Sequence, residues 1–206
     1  MMPAARDLLL DAAYAALTRR PWYAVRMVDV AAAAGVSRQT LHNEFGTKDG
    51  LARALVEREA AAFLAGVDRA LAGGSDPHPR LTALVEWIAA AARDNALVKA
   101  LLTGCWDAWL PRVEQAAAQP DAAGDRGDGR SLSPAGVLAQ VRDRAVAALS
   151  APGTAEPDVV DLAGTCELVV RLGLSCVAAP PGEHGAGDLV RAVLRRCRPD
   201  RAGHRG

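Results

Sequence analysis

The stretch that most constrains the fold covers residues 27–47 and reads MVDVAAAAGVSRQTLHNEFGT. Its first eight residues favour a short helix, which Gly35 ends because glycine tolerates the left-handed conformation that often follows a helix. Ser37 can cap a second helix by accepting a hydrogen bond from a backbone N–H of its first turn. That helix ends at Phe45 and Gly46. Two short helices joined by a tight turn are typical of a helix-turn-helix, so we expect one here.

The rest of the chain favours an all-α fold. Half of its 206 residues are hydrophobic but only 4% are aromatic, and alanine supplies much of the apolar total. Apolar residues recur at helical spacing, whereas runs of β-branched and aromatic residues are scarce. We predict further helices over residues 5–19, 48–71, 81–93, 96–104, 106–118, 134–149, 158–178 and 187–197. Sequence breaks predict a linker over 72–80, a Gly- and Asp-rich loop over 119–133 and a frayed tail over 201–206.

Net charge gives no argument for a nucleic-acid or membrane partner, because 24 basic residues balance 24 acidic ones. The placement of charge therefore matters more than its total. No apolar run approaches membrane-spanning length, and the N-terminus lacks the apolar segment of a secretory signal. The four cysteines show no C-x-x-C spacing. We expect them to be small buried side chains in a reduced cytoplasmic protein, with a redox switch as the alternative.

Helical geometry assigns different roles to the two faces of the second short helix. Leu41 and Phe45 point within about 40° of each other, so we expect both to pack on the preceding helices. Other residues of this helix are polar and point away from that core, which fits either a solvated surface or a surface for DNA. These residues are Gln39, Thr40 and Asn43, with Arg38 and His42 on the flank.

The residue types on this polar face favour DNA. Glutamine and asparagine can pair with adenine through two hydrogen bonds, and arginine can pair with guanine in the same way. Ser37, Thr40 and the N-terminus of the helix can hold phosphate oxygens. Lys48, one of only two lysines, begins the next helix, where its charge opposes the helix dipole. A phosphate partner would explain that placement.

Residues 6–56 resemble the N-terminal domain of TetR-family transcriptional regulators, most specifically in VAAAAGVSRQTLHNEFGTKDGL. The resemblance implies a three-helix DNA-binding domain over 1–50 and a fourth helix over about 48–71 that links it to the rest. It further implies an all-α effector-binding and dimerisation domain over 51–200. Such a protein is a repressor that binds a palindromic operator as a homodimer and leaves it when a small effector binds.

The resemblance also implies roles for single residues. It places Gln39, Thr40 and Asn43 in the major groove, with Arg38 beside them. It places Ser37 and Lys48 on phosphate. The chain departs from the family at three places. His42 stands where the family usually has tyrosine, and it can still hydrogen-bond a phosphate. Arg26 stands where the family often has a threonine or serine cap, so we expect Arg26 to contact phosphate instead. Pro21 replaces a glycine and alters only the turn.

The C-terminal domain of this family usually holds an effector. Trp106 and Trp109 would share one face of a helix, and with Trp87 they are candidates to line a pocket, although core packing is the alternative. Because no charged cluster suggests a polar effector, we expect a hydrophobic one. The segments NALVKALLTG and VVRLGLSCVAAP resemble actinobacterial members that respond to long-chain fatty acids, so a fatty acid or an acyl-CoA is the expected effector.

Apolar residues follow helical spacing in the last two helices, as expected for one face of each helix. Two such helices from each of two chains would close a four-helix bundle, so we expect a homodimer. The alternative is that one stripe packs inside its own domain. The expected interface residues are Cys166, Val170, Gly173, Val177, Leu189, Val190, Val193, Leu194 and Cys197.

The sequence lacks the residue patterns that an enzyme would need. The four histidines lie in unrelated segments, and the sequence contains no H-E-x-x-H, P-loop, G-x-S-x-G or Gly-rich dinucleotide motif. We therefore expect no catalytic activity, no metal site and no cofactor. Two alternatives are a DNA-binding protein without ligand control, and an enzyme or redox protein whose helix-turn-helix is incidental.

Overall fold

The computed structural model describes residues 5–111, 132–150, 156–182 and 185–196, and across them the chain is all-α, as predicted. It contains no strand in these ranges. A short 3₁₀ helix, Trp22–Ala24, lies between the first two α-helices. The α-helices are α1 (Ala5–Leu17), α2 (Met27–Ala33), α3 (Arg38–Phe45), α4 (Lys48–Leu71), α5 (Pro77–Asp94), α6 (Ala96–Thr103), α7 (Pro134–Leu149), α8 (Glu156–Ala178) and α9 (Ala186–Arg196).

Two of the predicted boundaries are wrong. The linker expected over 72–80 is too long, because α5 already begins at Pro77, after Asp76 accepts a hydrogen bond from the backbone N–H of His78. Proline is well suited to a first helical turn, since its missing N–H has no partner there anyway. The helix expected from residue 106 does not form over the part that is described, because Gly104 ends α6 in the left-handed conformation with φ 73°.

The expected loop over 119–133 lies outside the described residues, except for residues 132 and 133. The expected tail over 201–206 and Cys197 also lie outside them. The described ranges also contain no group of three or more potential metal-binding side chains. Among the described helices, none combines the length and the apolar character needed to cross a bilayer.

Two hydrophobic cores follow one another along the chain. The N-terminal core joins α1, α2, α3, the first half of α4 and one face of α6, and includes Leu9, Val30, Leu41, Leu55 and Leu101. The C-terminal core joins the second half of α4 with α5, another face of α6, α7, α8 and α9, and includes Val67, Leu84, Ile88, Val141, Val170 and Val190. Because α4 and α6 contribute to both cores, neither core can shift far without moving a helix of the other.

Arg80 fastens two helix ends in the C-terminal half. Its guanidinium donates one hydrogen bond to the carbonyl of Leu71 at 2.6 Å and another to the carbonyl of Ala148 at 2.8 Å. These carbonyls lie in the last turns of α4 and α7, where the helix itself supplies no donor. A positive charge also suits the negative end of each helix dipole. Arg80 therefore holds α4 and α7 together at one end.

Candidate nucleic-acid interface

The turn between α2 and α3 is fixed by two backbone hydrogen bonds at the end of α2. The N–H of Gly35 donates to the carbonyl of Ala32 at 3.2 Å, and the N–H of Val36 donates to the carbonyl of Ala31 at 3.1 Å. This pattern is a Schellman motif, which requires a left-handed residue after the helix. Gly35 provides that residue with φ 68°. The predicted tight turn is confirmed, and it sets the direction in which α3 leaves α2.

Helix α3 is anchored by its two apolar residues, as its spacing predicts. Leu41 is 1% exposed and Phe45 is 9% exposed, and both belong to the N-terminal core. The guanidinium of Arg6 lies 4.8 Å from the centre of the Phe45 ring and covers its outer side. With these residues facing inward, the rest of the short helix is turned toward solvent.

The outward face of α3 carries a bonded pair of amide side chains. Gln39 donates from its Nε2 to the Oδ1 of Asn43 at 2.8 Å, and both residues are exposed. The pair still offers the Oε1 of Gln39 as an acceptor and the Nδ2 group of Asn43 as a donor. Adenine presents one acceptor and one donor side by side in the major groove. The pair can therefore match an adenine edge as a unit.

The N-terminus of α3 is closed by Ser37. Its Oγ accepts a hydrogen bond from the N–H of Thr40 at 2.9 Å, which confirms the predicted cap, and lies 2.8 Å from the Oγ1 of Thr40. Arg38 and His42 lie four residues apart, on one side of α3, and both are exposed. Within the described part of the chain, neither side chain makes a hydrogen bond or an ion pair. The helix thus begins with two hydroxyl groups and a free guanidinium.

Arg26 precedes α2 and does not cap it. It occupies the N-cap position without any hydrogen bond from its side chain, so the side-chain cap is absent, as the sequence indicates. Its exposed guanidinium has no partner among the described residues.

Lys48, another candidate phosphate contact, already has partners within the protein. Its Nζ donates to the carbonyl of Tyr23 at 3.1 Å and lies 5.6 Å from the centre of the Trp22 ring.

Partial burial lowers the pKa of Lys48, while the carboxylate of Asp49 acts in the opposite direction. The charge at the start of α4 therefore has an internal partner that the sequence does not reveal. An ammonium group has three donors, and the carbonyl of Tyr23 uses one of them. Lys48 can still reach an anion with the others, from a position fixed by the 3₁₀ helix. Sequence reasoning does not assign Trp22 and Tyr23 to this surface.

The three tryptophans expected to line an effector pocket do not come together in one site. Trp87 stacks on Phe63 inside the C-terminal half, and its Nε1 donates to the carbonyl of Phe63 at 3.1 Å. Trp106 and Trp109 do not lie on a helix, because α6 has already ended at Thr103. Both lie in the segment that packs on the N-terminal core. The structure therefore revises the expected pocket, since two of its three residues contact the other half of the protein.

A cavity of about 610 Å³ lies between α4 and α7. Most of its lining is small or aliphatic, and it includes Ala60, Ala61, Leu64, Ala65, Leu132 and Val137. Arg144 and Asp68 also line it, and they form an ion pair with an N–O distance of 3.0 Å. Both side chains are substantially exposed, so this pair is held only weakly. Glu57 and Gln140 complete the polar part of the lining. The apolar part can accept an aliphatic chain, and Arg144 can pair with an anionic end once it leaves Asp68.

The chain itself covers most of the residues expected at a dimer interface. Helix α5 packs against α8 and α9, and a Cβ atom on Gly173 would lie 3.2 Å from the Cδ1 of Ile88 in α5. The buried residues of the expected set are Cys166, Val170, Gly173, Val177, Val190 and Leu194. These residues cannot contact a second chain without losing that packing, so the expectation is revised for them.

Other apolar side chains of the last two helices are left exposed. Leu189 and Val193, from the expected set, are 37% and 39% exposed on α9. Val160 and Leu168 are 66% and 62% exposed on α8. Leu189 and Val193 are four residues apart and neighbours on one helix face, whereas Val160 and Leu168 are eight apart and lie about 80° from each other around α8. We refer to Val160, Leu168, Leu189 and Val193 as the α8–α9 apolar face.

Known proteins resemble the chain in sequence and in fold. The family model described as "Bacterial regulatory proteins, tetR family" matches residues 9–55. The HTH-type transcriptional regulator AlkX of Mycobacterium tuberculosis is 33% identical over 192 residues, which cover 91% of this chain and 82% of that protein.

Among solved structures, the TetR family repressor AlkX from Dietzia sp. strain DQ12-45-1b, implicated in biodegradation of n-alkanes, is 24% identical. Its TM-score is 0.55, and the match covers 94% of this chain and 95% of that one. A tetR-family regulator from Streptomyces coelicolor also has a TM-score of 0.55, at 15% identity, and the match covers 95% of this chain and 80% of that one.

Proposed function

Because the chain belongs to the TetR family of bacterial transcriptional regulators, we propose that it represses genes by binding a palindromic operator as a homodimer, and that a small hydrophobic effector releases it. Residues 1–50 form the DNA-binding domain in this proposal, and residues 51–200 form the effector-binding and dimerisation domain. Helix α4 connects the two.

The observation that carries the proposal is the division of α3 into two faces. Leu41 and Phe45 fix the helix to the N-terminal core, and Gln39 and Asn43 stand outward as a bonded amide pair. In our proposal this pair and Thr40 read base edges, with Arg38 able to reach a guanine. Phosphate contacts come from Arg26, Ser37 and Lys48, which lie at the starts of α2, α3 and α4, and from His42 within α3.

Selection of bound sites from random DNA tests this assignment. Gln39→Ala or Asn43→Ala should relax the preference at one base position in each half-site, at a cost of about 1–3 kcal/mol, because a paired base contact is lost. Lys48→Ala should weaken all sequences equally and reduce the salt slope of binding by about one. Lys99→Ala removes the only other lysine, which lies exposed on α6, and serves as the matched control. Unchanged preference and unchanged salt slope would show that α3 does not face DNA.

We propose that the α8–α9 apolar face joins two copies of the chain. One recognition helix covers only a few base pairs. When two recognition helices are joined in a dimer, binding of the second to its half-site is intramolecular, at roughly millimolar effective concentration. The two half-sites should form an inverted repeat whose centres are about 34–36 Å apart, or a multiple of that.

Leu189→Glu combined with Val193→Glu places charge on that face without disturbing the buried Leu194. Sedimentation should then show a monomer, and operator affinity should fall by orders of magnitude while helicity is retained. Ala62→Glu, on an exposed position of α4, provides the control. A double variant that stays dimeric and binds normally would place the interface elsewhere.

We propose that the effector occupies the cavity between α4 and α7. An aliphatic chain would lie on its alanine and leucine lining, and a carboxylate or phosphate end would replace Asp68 as the partner of Arg144. This chemistry favours a fatty acid or an acyl-CoA. An effector shifts the equilibrium only if it prefers the conformation that does not bind DNA, by about 1–3 kcal/mol for typical coupling.

Titration with fatty acids, acyl-CoA esters and n-alkanes tests this step, with operator affinity as the readout. The alkanes are included because the Dietzia repressor is implicated in their biodegradation. Arg144→Gln should reduce the effect of anionic effectors, whereas Arg142→Gln on the same helix should not, because Arg142 does not line this cavity. If none of these compounds changes operator affinity, the protein binds DNA without control by this class of ligand.

A further inference from the structure

Trp109 reaches from the segment after α6 to the N-terminal part of the chain and makes two hydrogen bonds there. Its Nε1 donates to the carbonyl of Leu17 at 3.1 Å, and its own carbonyl accepts from the N–H of Trp22 at 2.8 Å. The side chain of this residue therefore connects to a position 92 residues earlier in the chain, and its backbone connects to the start of the 3₁₀ helix. We call this pair of bonds the Trp109 clasp.

Both partners of the clasp are groups that a helix leaves without a bond. Leu17 is the last residue of α1, and the carbonyls of the last turn have no N–H within the helix. Trp22 is the first residue of the 3₁₀ helix, and its N–H likewise has no carbonyl within that helix. The clasp thus fixes the end of one element and the beginning of the next, and with them the turn at residues 18–21.

Trp22 is in turn the support of Lys48. Trp22 is 7% exposed, and the ammonium of Lys48 lies 5.6 Å from the centre of its ring. A cation over an indole ring is held by the electrostatic field of the ring. The same ammonium donates to the carbonyl of Tyr23, the next residue of the 3₁₀ helix. The position of Lys48 therefore depends on the position of this helix, which the clasp holds.

The segment that carries Trp109 is itself held in place. The Oδ1 of Asp107 accepts from the N–H of Trp109 at 2.8 Å and from the N–H of Leu110 at 3.2 Å. Leu110 is 7% exposed and belongs to the N-terminal core. Trp109, by contrast, is 48% exposed. Because half of its surface stays in solvent, burial alone does not explain why a tryptophan stands at this position. A long side chain with an Nε1 donor is needed to reach the carbonyl of Leu17.

We propose that Trp109 is a positioning residue for DNA binding, which acts through Trp22 on Lys48. The inference rests on the proposed function, in that Lys48 must contact the phosphate backbone. Without the clasp, the 3₁₀ helix and Lys48 sample more positions, and part of the binding free energy is lost in ordering them when DNA binds. The effect should fall on affinity for all sequences rather than on base preference, since Lys48 faces no base in this assignment.

The test compares two tryptophans that make the same kind of bond. Trp109→Phe keeps a ring and the backbone bond to Trp22 but removes the Nε1 donor to Leu17, so it frees the end of α1 and the turn at residues 18–21 that leads to Trp22. Trp87→Phe removes the Nε1 donor to Phe63, also at 3.1 Å, in the C-terminal half. The probe is the DNA site that the wild-type protein selects from random sequence, measured at fixed salt without added effector. We expect Trp109→Phe to raise the Kd about threefold to tenfold, the range for ordering one flexible side chain on binding, and Trp87→Phe to leave it within about twofold.

A double-mutant cycle with Lys48→Ala separates positioning from general destabilisation. If Trp109 acts through Lys48, Trp109→Phe should change the Kd by less than about twofold in the Lys48→Ala background. Equal effects in both backgrounds would overturn the inference, because they would mean that Trp109 acts by another route. This cycle needs only Trp109→Phe and Lys48→Ala, so it stands even if Trp87→Phe does not fold.

Two further outcomes distinguish the inference from the proposed function. If the wild-type protein selects DNA and Trp109→Phe binds it with unchanged Kd, the inference is refuted and the DNA-binding role stands. A lower urea midpoint for Trp109→Phe with unchanged Kd also refutes the inference, since the clasp would then serve stability alone. If the wild-type protein selects no DNA, the proposed function fails, and the role of Trp109 in DNA binding fails with it.

Discussion

Asn95 occupies the junction between α5 and α6, and its replacement should destabilise both halves of the protein. Its Oδ1 accepts from the N–H of Leu97 at 3.0 Å and from the N–H of Val98 at 3.3 Å, which caps α6. Its Nδ2 donates to the Oε2 of Glu59 in α4 at 2.7 Å. Glu59 is only 12% exposed, and the guanidinium of Arg58 donates to its Oε1, so Asn95 supplies the donor to the other carboxylate oxygen. Because α6 contributes to both cores, loss of its cap should destabilise both.

The magnitude follows from the two interactions. Loss of an N-cap costs about 1 kcal/mol, and loss of a hydrogen bond to a charged group costs about 1.5–3 kcal/mol. Asn95→Ala removes both, so the free energy of unfolding should fall by about 2.5–4 kcal/mol. For a chain of this length that corresponds to a decrease in Tm of about 5–15 °C. Asn95→Ser keeps a capping oxygen but loses the donor to Glu59, and should cost about 1.5–3 kcal/mol.

Urea unfolding followed by circular dichroism measures these differences, with Tm as a second readout. Asn43→Ala removes an amide from the exposed face of α3 and should change stability by less than about 0.5 kcal/mol. If Asn95→Ser is as stable as the wild-type protein, the bond to Glu59 contributes nothing. If Asn95→Ala and Asn95→Ser are equally unstable, the cap contributes nothing. Either result would contradict the reasoning for that interaction.

Three further perturbations have defined outcomes. Gly35→Ala should lower the urea-derived stability by about 1–2 kcal/mol, the cost of a left-handed alanine, with no added clash because nothing lies within 4 Å of the new Cβ. Cys105 is exposed and Cys166 is buried, so of these two only Cys105 should react rapidly with Ellman's reagent. Cys105→Ser should therefore lose one rapidly reacting thiol relative to the wild-type protein, whereas Cys166→Ser should lose none. Burial raises the pKa of Cys166 from 9.0 to about 11, so stability should decrease as the pH rises through this interval, and Cys166→Ala should lack that component.

Local signals are sufficient to predict the helix-turn-helix. The cap at Ser37, the left-handed turn at Gly35 and the buried pair on α3 each depend on residues within one or two turns of each other. The same local reasoning fails at Pro77, where the sequence breaks predict a linker although this proline stands in the first turn of a helix. An aspartate followed by proline is an N-terminal signature, and Asp76 could have indicated it.

Contacts between distant segments cannot be predicted from a single sequence. The spacing of Trp106 and Trp109 suggests one face of a helix, but Gly104 ends that helix, and the bonds of Trp109 lie far back in the chain. The dimer residues show the same difficulty. Helical periodicity correctly marks Val170 and Val190 as apolar positions to be covered. It does not say that α5 of the same chain covers them, since that depends on the packing of whole helices.

The position of the cavity suggests how the two halves of the protein could affect each other. Ala60 and Leu64 line it one turn apart on α4, yet Ala60 belongs to the N-terminal core and Leu64 to the C-terminal core. The cavity thus lies where α4 passes from one core to the other. A molecule inserted between α4 and α7 would push on α4 at this crossing. Because closely packed cores yield by switching between discrete arrangements rather than by compressing, such a push would be carried to the start of α4. Lys48 stands there, so an effector that never approaches α3 could still weaken the contact that the protein makes with DNA.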